Sequence, residues 1–323
     1  MLSLLGSVLC DSVVTITSSG TLAVFDSSDM SSSTTPIQTI SDPDGEYFTD
    51  VHRYKNYVYT NTNYANVQRW GISSSGKLYR TSDKLWFQYC PSGLSIRGSS
   101  DPEHADYVLL ICPYYSYGNS RVILANPKTL EFEHTIPSIQ SGMYAATITD
   151  AVLTDKYLYT SQFVPHSGGV SLIMQYDVSN NFKKGVRVNL PTAPRLSIMK
   201  NSDLFATYQN QIGRFDADTM ETLKSVSTSC AHTVKLSADS KTLFTGCGGS
   251  NSLQVYDVSG SDIDPVCESD IGGGAGGGMV EFEGSLYASG NALTRYTLAD
   301  NGCPVSSDAV EIDSYDIAYL PTK

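Results

Sequence analysis

The chain has 323 residues, of which only 17% are charged, and its formal net charge is −12. An excess of carboxylates repels nucleic-acid phosphates and anionic lipids, so the composition argues against nucleic acid or a membrane surface as the partner. No apolar run is long enough for a transmembrane helix, so no membrane insertion is expected. The many tyrosines (21) are typical of strands, because aromatic side chains fit a pleated, half-buried surface.

The first segment, residues 1–11, is apolar but has no basic residue at its start. A secretory signal peptide begins with a basic region and is usually longer. This segment is therefore interpreted either as the remnant of a signal peptide or as a leading strand.

The rest of the chain repeats one pattern seven times. An alternating run ends in an aromatic or apolar anchor, and a second strand-like run precedes it, as in "YLYTS" before "SLIMQYD". The anchors are Phe25, Trp70, Leu124, Tyr176, Phe215, Tyr256 and Tyr296. Successive anchors lie 39 to 54 residues apart, and no stretch shows helical apolar spacing. Seven occurrences at this period predict an all-β fold of seven four-stranded units.

This pattern resembles the seven-bladed β-propellers of the WD40 and YVTN (surface-layer or lactonase-like) type. Asp177, Asp216 and Asp257 match the aspartate of the WD40 Trp-Asp pair, whereas the Gly-His pair of true WD40 repeats is missing. The resemblance covers nearly the whole chain and implies a single propeller domain over residues 1–323. It implies blades of four antiparallel strands, A to D from the channel outward, with the C-terminal "SYDIAYL" closing the ring as strand A of blade 1.

Two cysteine pairs lie at equivalent places in two blades. Cys90 and Cys230 precede strand A of blades 3 and 6, and Cys112 and Cys247 end strand B of the same blades. Strands A and B are antiparallel, so each pair falls within bonding range, and the disulfides Cys90–Cys112 and Cys230–Cys247 are predicted. Disulfides need an oxidising compartment, which favours secretion over the alternative of four buried free thiols. The remaining cysteines, Cys10, Cys267 and Cys303, allow one further pair.

Aromatic residues are concentrated in loops of one face. The D–A and B–C loops and the beginnings of the A strands share this face, called the top face below. Aromatic side chains give large, rigid contact area, so these loops are predicted to bind a ligand, although they could instead pack against one another. The ligand-site candidates, all assigned to the top face of blades 3 and 4, are Trp86, Phe87, Tyr89, Tyr114, Tyr115, Tyr117, Tyr144, Phe163 and His166.

Three A strands begin with an aligned aspartate: Asp50, Asp150 and Asp316. Innermost strands face the channel, so these carboxylates are expected to converge at its mouth. Clustered carboxylates suit Ca²⁺, which takes several oxygen ligands, or can act as general acids or bases. A solvated acidic rim, or aspartates that cap their own turns, is the alternative.

Candidates for chemistry are few. His232 and His166 lie near the top face, and together with Asp150 they are the catalytic candidates. No zinc, nucleotide, haem or flavin motif is present, so no cofactor is predicted apart from the Ca²⁺ option.

The sequence favours a secreted, monomeric binding protein for a small organic, aromatic ligand or an extracellular protein partner. The alternative is a cofactor-independent enzyme with its substrate in the top pocket, either a lactonase-like hydrolase, which the resemblance implies, or a luciferase-type oxygenase. A structural scaffold is the third interpretation.

Overall fold

A computed structural model describes residues 11–82, 85–86, 90, 95–100, 103–113, 120–141, 144–164, 170–198, 203–247, 252–270 and 278–320. These residues form strands and no helix, and so contain no helix long and apolar enough to span a membrane. Residues 1–10, predicted as a signal remnant or leading strand, lie outside the described part.

Seven antiparallel sheets with four main strands each follow one another along the chain; those of blades 2 to 7 begin with the innermost strand, whereas blade 1 takes its innermost strand from the C-terminus. The strands are given from the inside outward. Blade 1 contains β31 (Ser314–Leu320), β1 (Ser12–Thr17), β2 (Leu22–Asp26) and β3 (Gln38–Ile40), and blade 2 contains β4 (Phe48–Tyr54), β5 (Tyr57–Thr62), β6 (Asn66–Ile72) and β7 (Leu78–Arg80). Blade 3 contains β9 (Ser95–Gly98), β10 (Val108–Cys112), β11 (Arg121–Ala125) and β12 (Phe132–Pro137), and blade 4 contains β15 (Thr147–Leu153), β16 (Tyr157–Val164), β17 (Val170–Asp177) and β18 (Lys183–Leu190).

Blades 5 to 7 have the same layout. Blade 5 contains β19 (Arg195–Ile198), β20 (Asp203–Tyr208), β21 (Gln211–Asp216) and β22 (Thr222–Ser227). Blade 6 contains β23 (Thr233–Leu236), β24 (Thr242–Gly246), β25 (Ser252–Asp257) and β26 (Asp264–Asp270), and blade 7 contains β27 (Met279–Phe282), β28 (Ser285–Ser289), β29 (Leu293–Leu298) and β30 (Pro304–Val310). Three short strands lie between blades: β8 (Leu85–Trp86) pairs with β6, and β13 (Gln140–Ser141) pairs with β14 (Tyr144–Ala145).

The sheets are arranged as a ring, because each innermost strand contacts the innermost strand of the next blade. The C-terminal β31 pairs with β1, with Val13 opposite Tyr319 and Val14 opposite Ala318. The predicted seven-bladed propeller, closed by the C-terminal strand, is confirmed.

The hydrophobic core is divided into seven clusters, one between each pair of neighbouring blades. Successive side chains of a strand point to opposite faces of its sheet. In β1, Val13 accordingly packs toward blade 7 and Val14 toward blade 2, and every residue of this strand is buried. Burial on both faces explains why the middle strands are almost uniformly apolar.

Both predicted disulfides are present. Cys90–Cys112 joins Cα atoms 5.4 Å apart, and Cys230–Cys247 joins Cα atoms 4.2 Å apart. A third disulfide, Cys267–Cys303, spans 6.2 Å between Cα atoms. It connects β26, the outer strand of blade 6, to the residue that precedes β30, the outer strand of blade 7. Cys10 lies outside the described residues.

Candidate functional site

The innermost strands enclose a central cavity of about 800 Å³. At the top face it is lined by residues at or just before the beginnings of these strands, among them Thr49, Arg195, His232 and Tyr315. At the opposite end it reaches the turns that follow them, such as Ser237 and Ala238 in blade 6. The cavity therefore runs along the propeller axis.

The three aligned aspartates line this cavity together. Each carboxylate accepts a hydrogen bond from a backbone N–H in the innermost strand of the next blade. The pairs are Asp50 with Ile96 at 3.2 Å, Asp150 with Leu196 at 3.0 Å and Asp316 with Val51 at 3.1 Å. A hydrogen bond to a charged group is stronger than a neutral one. The aspartates thus fasten adjacent blades to each other.

Arg97 of β9 lies among these acids. Its side-chain nitrogens are 3.9 Å from Asp50 Oδ2 and 3.6 Å from Asp150 Oδ1. Burial alone would lower the pKa of Arg97, but the charges of Asp150, Asp50 and Asp316 raise it. The guanidinium therefore stays protonated and neutralises part of the acidic charge.

This arrangement bears on the expected calcium site. Among the residues that the structure describes, no three His, Cys, Asp or Glu side chains form a group that could hold a metal ion. A cation already lies between Asp50 and Asp150 in the form of the Arg97 guanidinium. Calcium binding by the three aspartates stays a prediction.

Asp50 and Asp316 influence each other. Burial and then the charge of Asp316 raise the pKa of Asp50 well above its usual value. Burial also raises the pKa of Asp316, while Arg97 opposes the rise. Asp50 is only 5% exposed, and its Oδ1 atom has no hydrogen-bond partner within the described part of the chain. The pair therefore retains a proton to higher pH than ordinary carboxylates do.

His52 is held in its neutral form. Its Nε2 atom accepts a hydrogen bond from the Gly98 backbone N–H at 2.9 Å, so the proton of the neutral ring resides on Nδ1. Burial, followed by the positive charges of Arg97 and Lys235, lowers the pKa of His52 to about 3. This imidazole is a poor candidate for proton transfer near neutral pH.

Lys235 of β23 lies on the other side of the cavity. Its ammonium has no ion pair and no hydrogen bond among the described residues, and its side chain is half-buried. Burial lowers the pKa of Lys235, Glu281 raises it and Arg97 lowers it further. Whether protonated or neutral, the amine of Lys235 therefore has no ion-pair or hydrogen-bond partner among the described residues.

The structure places two of the three catalytic candidates at the cavity. His232 is exposed at the top rim, just before β23, and Asp150 lies in the wall, bound to the next blade. His166 lies outside the described residues.

The ligand-site candidates are only partly covered by the structure. Trp86 is 67% exposed at the top end of blade 2, where β8 pairs with β6, and Phe163 is half-buried near the end of β16. Tyr144 begins β14 in the connection between blades 3 and 4. Outside the described residues lie Phe87, Tyr89, Tyr114, Tyr115 and Tyr117.

Other exposed aromatic residues of the top face were missed by the sequence analysis. Tyr47 (58% exposed) precedes β4, Tyr64 (61%) follows β5, and Tyr315 (62%) is in β31. Together with Trp86 they place exposed aromatic side chains on blades 1 and 2. We call these four residues the aromatic rim. They were missed because each is a single tyrosine in an otherwise polar loop or strand end.

The charged wall residues were missed for a different reason. Arg97 and Lys235 lie two positions after Ser95 and Thr233, as His52 lies two positions after Asp50. The equivalence of these positions follows from strand pairing. Val51, Ile96 and Val234 of the innermost strands pair with Thr60, Leu110 and Thr245, which occupy equivalent positions in the second strands of their blades. Only that alignment could have identified them as channel residues.

No protein-family model matches the chain, and no curated protein matches it. Several solved structures do. A Bacteroides uniformis protein provisionally assigned as a 6-phosphogluconolactonase superposes with a TM-score of 0.71 at 13% identity, over 97% of this chain and 100% of that one.

A Bacteroides fragilis protein with the same provisional assignment gives a TM-score of 0.67 at 10% identity, over 98% of this chain and 99% of that one. A Lactobacillus plantarum protein gives 0.69 at 14% identity, over 96% and 99%. Similarity at identities this low shows a shared fold, and it confirms the predicted resemblance to this type of propeller in fold alone.

Proposed function

We propose that this protein is a secreted propeller that binds a small organic anion in its central cavity, entered from the top face. One observation carries the proposal: the cavity of about 800 Å³ is lined by Lys235, which has no ion-pair partner among the described residues. Placing a charge inside a protein costs free energy unless it is paired. A ligand carboxylate or phosphate would supply the missing partner.

The aromatic rim supports the same entry side. Tyr and Trp present an apolar ring and a polar atom, which suits contact with the organic part of a ligand. Tyr315 belongs to both the rim and the cavity lining, so the two regions are continuous. The aromatic candidates of blades 3 and 4 would extend this surface, and an aromatic ligand or a protein partner on it remains part of the proposal.

Binding is tested by thermal melts with matched ligands. Gluconate and glucose 6-phosphate should raise the melting temperature, because a ligand that binds the native state stabilises it, whereas neutral glucose should not. Lys235→Met should remove the shift. Lys241→Met, which changes an exposed lysine that pairs with Asp239, should keep it. Equal shifts for gluconate and glucose, or an unchanged shift in Lys235→Met, would overturn the proposal.

Hydrolysis of a lactone is the second candidate function. The provisional names of two structural neighbours favour it by analogy of fold, and Asp50, with its raised pKa, offers a proton donor inside the cavity. A pH-stat assay with glucono-δ-lactone tests it. A rate above spontaneous hydrolysis that falls in Asp50→Asn supports the activity, and a rate equal to spontaneous hydrolysis rejects it for this substrate.

Secretion is supported by the three disulfides, which form and persist in oxidising compartments. Peptide mapping without reduction, on protein purified from its source, should recover all three linked pairs. Free thiols at these six cysteines would contradict secretion without affecting the ligand proposal.

A further inference from the structure

Lys235 differs in its surroundings from the lysines that form ion pairs on the surface. Lys55, Lys156, Lys224 and Lys241 each have a carboxylate within 2.6 to 3.8 Å, and their side chains are 41 to 68% exposed. Lys235 instead lines the central cavity, and the structure shows no carboxylate within ion-pair distance of it among the described residues. Its amine therefore faces space that a small molecule can enter.

Apart from tyrosines, the other charged or titratable residues that line the cavity are the three aspartates, Arg53, His232 and four more. Arg97 and His52 lie on the innermost strands β9 and β4, and Arg195 and Glu281 on the adjacent strands β19 and β27. His52 is neutral, and the carboxylate of Glu281 already accepts a hydrogen bond from the Ala238 N–H at 2.8 Å. Of the charges that act on Lys235, Glu281 is the stronger and favours the protonated amine, while Arg97 favours the unprotonated one.

Burial of the amine and the neighbouring Arg97 cation both favour the unprotonated form of Lys235. Burial is the main cause of the lowered pKa of Lys235; the charge of Glu281 opposes it, and the charge of Arg97 adds a smaller lowering. An unprotonated lysine is a nucleophile, and desolvation beside another cation is a recognised way to produce one.

We propose that Lys235 forms an imine with a small carbonyl acid, an aldehyde acid or 2-oxo acid, that enters the central cavity. The amine lone pair forms a bond to the carbonyl carbon and gives a carbinolamine. Loss of the carbonyl oxygen as water, with both hydrogens of the amine, then leaves a C=N bond. No oxidant or metal is needed. The inference deepens the proposed function, because it uses the same cavity and names a ligand class for it.

The test is reductive trapping on the intact protein. The protein is incubated with glyoxylate near pH 7, reduced with borohydride, digested and mapped by mass spectrometry. Lys235 should be modified faster than Lys241, because its lowered pKa leaves more of the amine unprotonated at a given pH. Equal rates at the two lysines, or no modification of Lys235, would overturn the inference.

Lys235→Arg tests the amine itself. It keeps a positive charge but has no amine that can form an imine, so the glyoxylate incorporated near pH 7 should fall, whereas Lys241→Arg should leave trapping at Lys235 unchanged. A melting curve checks that the variant folds, and Lys235→Met is the second variant if it does not. If gluconate binds the wild type but glyoxylate is not trapped, only this inference fails. If glyoxylate is trapped at Lys235 while gluconate does not bind, the inference stands and the proposed preference for stable organic anions fails.

Discussion

The channel wall has two arcs, which differ in whether their charged side chains have bonding partners. In blades 1 to 4, Arg97 and the three aspartates are bonded to one another or to backbone N–H groups of the next blade. In blades 5 to 7, Glu281 and Arg195 bond to the backbone, and Lys235 has no such partner in the described wall. We call these the acid arc and the lysine arc.

This difference distinguishes charged residues that stabilise the ring from those that are available to bind a ligand. Charges that satisfy each other across blades stabilise the ring and offer little to a ligand. A charge left without a partner costs stability, and such sites are where function is often found. The acid arc is thus expected to respond to mutation through stability, and the lysine arc through ligand binding.

The largest expected effect comes from one matched pair of substitutions. Arg97→Met removes the cation between two buried carboxylates, and leaving buried charge unpaired is strongly destabilising. Because Arg97 is 34% exposed, we expect the free energy of unfolding to fall by about 2–3 kcal/mol, which is at the low end of the range for breaking a buried ion pair. Lys235→Met should change the free energy of unfolding by less than about 1 kcal/mol. Urea unfolding of both variants measures this, and equal losses would break the comparison.

A smaller effect is expected for one blade-to-blade hydrogen bond. Asp150→Ala leaves the buried Leu196 N–H without its acceptor and should cost about 2 kcal/mol, because hydrogen bonds to charged groups contribute about 1.5–3 kcal/mol. Asp155→Ala, at an exposed turn position of the same blade, is the control and should stay within about 0.5 kcal/mol. If urea unfolding gives similar values for the two variants, Asp150 does not fasten the blades.

Much of the fold could be predicted because its signals are local. The blades are identified by a strand that is buried on both faces and recurs every 39 to 54 residues. The two disulfides follow from pairing within one blade, because antiparallel neighbouring strands bring Cys90 near Cys112 and Cys230 near Cys247. The pairing of Cys267 with Cys303 could not be chosen, because it depends on how the outer strands of two blades approach each other.

The candidate site was predicted less well than the fold. The aspartates were placed at the channel by their alignment, but their bonds to the next blade depend on the distance between blades. Lys235 sits in a four-residue strand, too short for its alternation to separate a channel-facing lysine from a solvent-facing one. Which charges meet across the axis is a property of the closed ring.

The third prediction concerns pH. The folded pKa of His52, about 3, lies below the unfolded value near 6.5, so the unfolded chain binds an extra proton between these values. The stability that His52 contributes is therefore present above pH 6.5 and is lost as the pH falls toward 3. The raised pKa values of Asp50 and Asp316 act in the opposite direction, since the native state then binds more protons.

His52→Gln tests this balance, because glutamine can still accept the Gly98 N–H but does not titrate. The free energy of unfolding of the variant should fall less steeply between pH 6 and pH 4, by up to about 1.4 kcal/mol per pH unit, the limit for one proton. An unchanged slope would mean that His52 is protonated in the folded state. An imidazole resonance that stays at its neutral position at pH 5 would show directly that His52 is unprotonated in the folded state, as expected.

The smallest expected effect is in the lysine arc itself. Glu281 favours the protonated form of Lys235, so Glu281→Gln should further lower the pKa of Lys235 and increase the fraction of free amine near pH 7. Interactions between partly exposed charges are worth up to about 1 kcal/mol, so trapping by glyoxylate and borohydride should become about two- to fivefold faster. Asp239→Asn, which removes the carboxylate beside Lys241, is the matched control for an exposed pair. A slower rate in Glu281→Gln would show that Glu281 assists the reaction by accepting a proton, and the lysine arc would then contain two groups that take part in the chemistry.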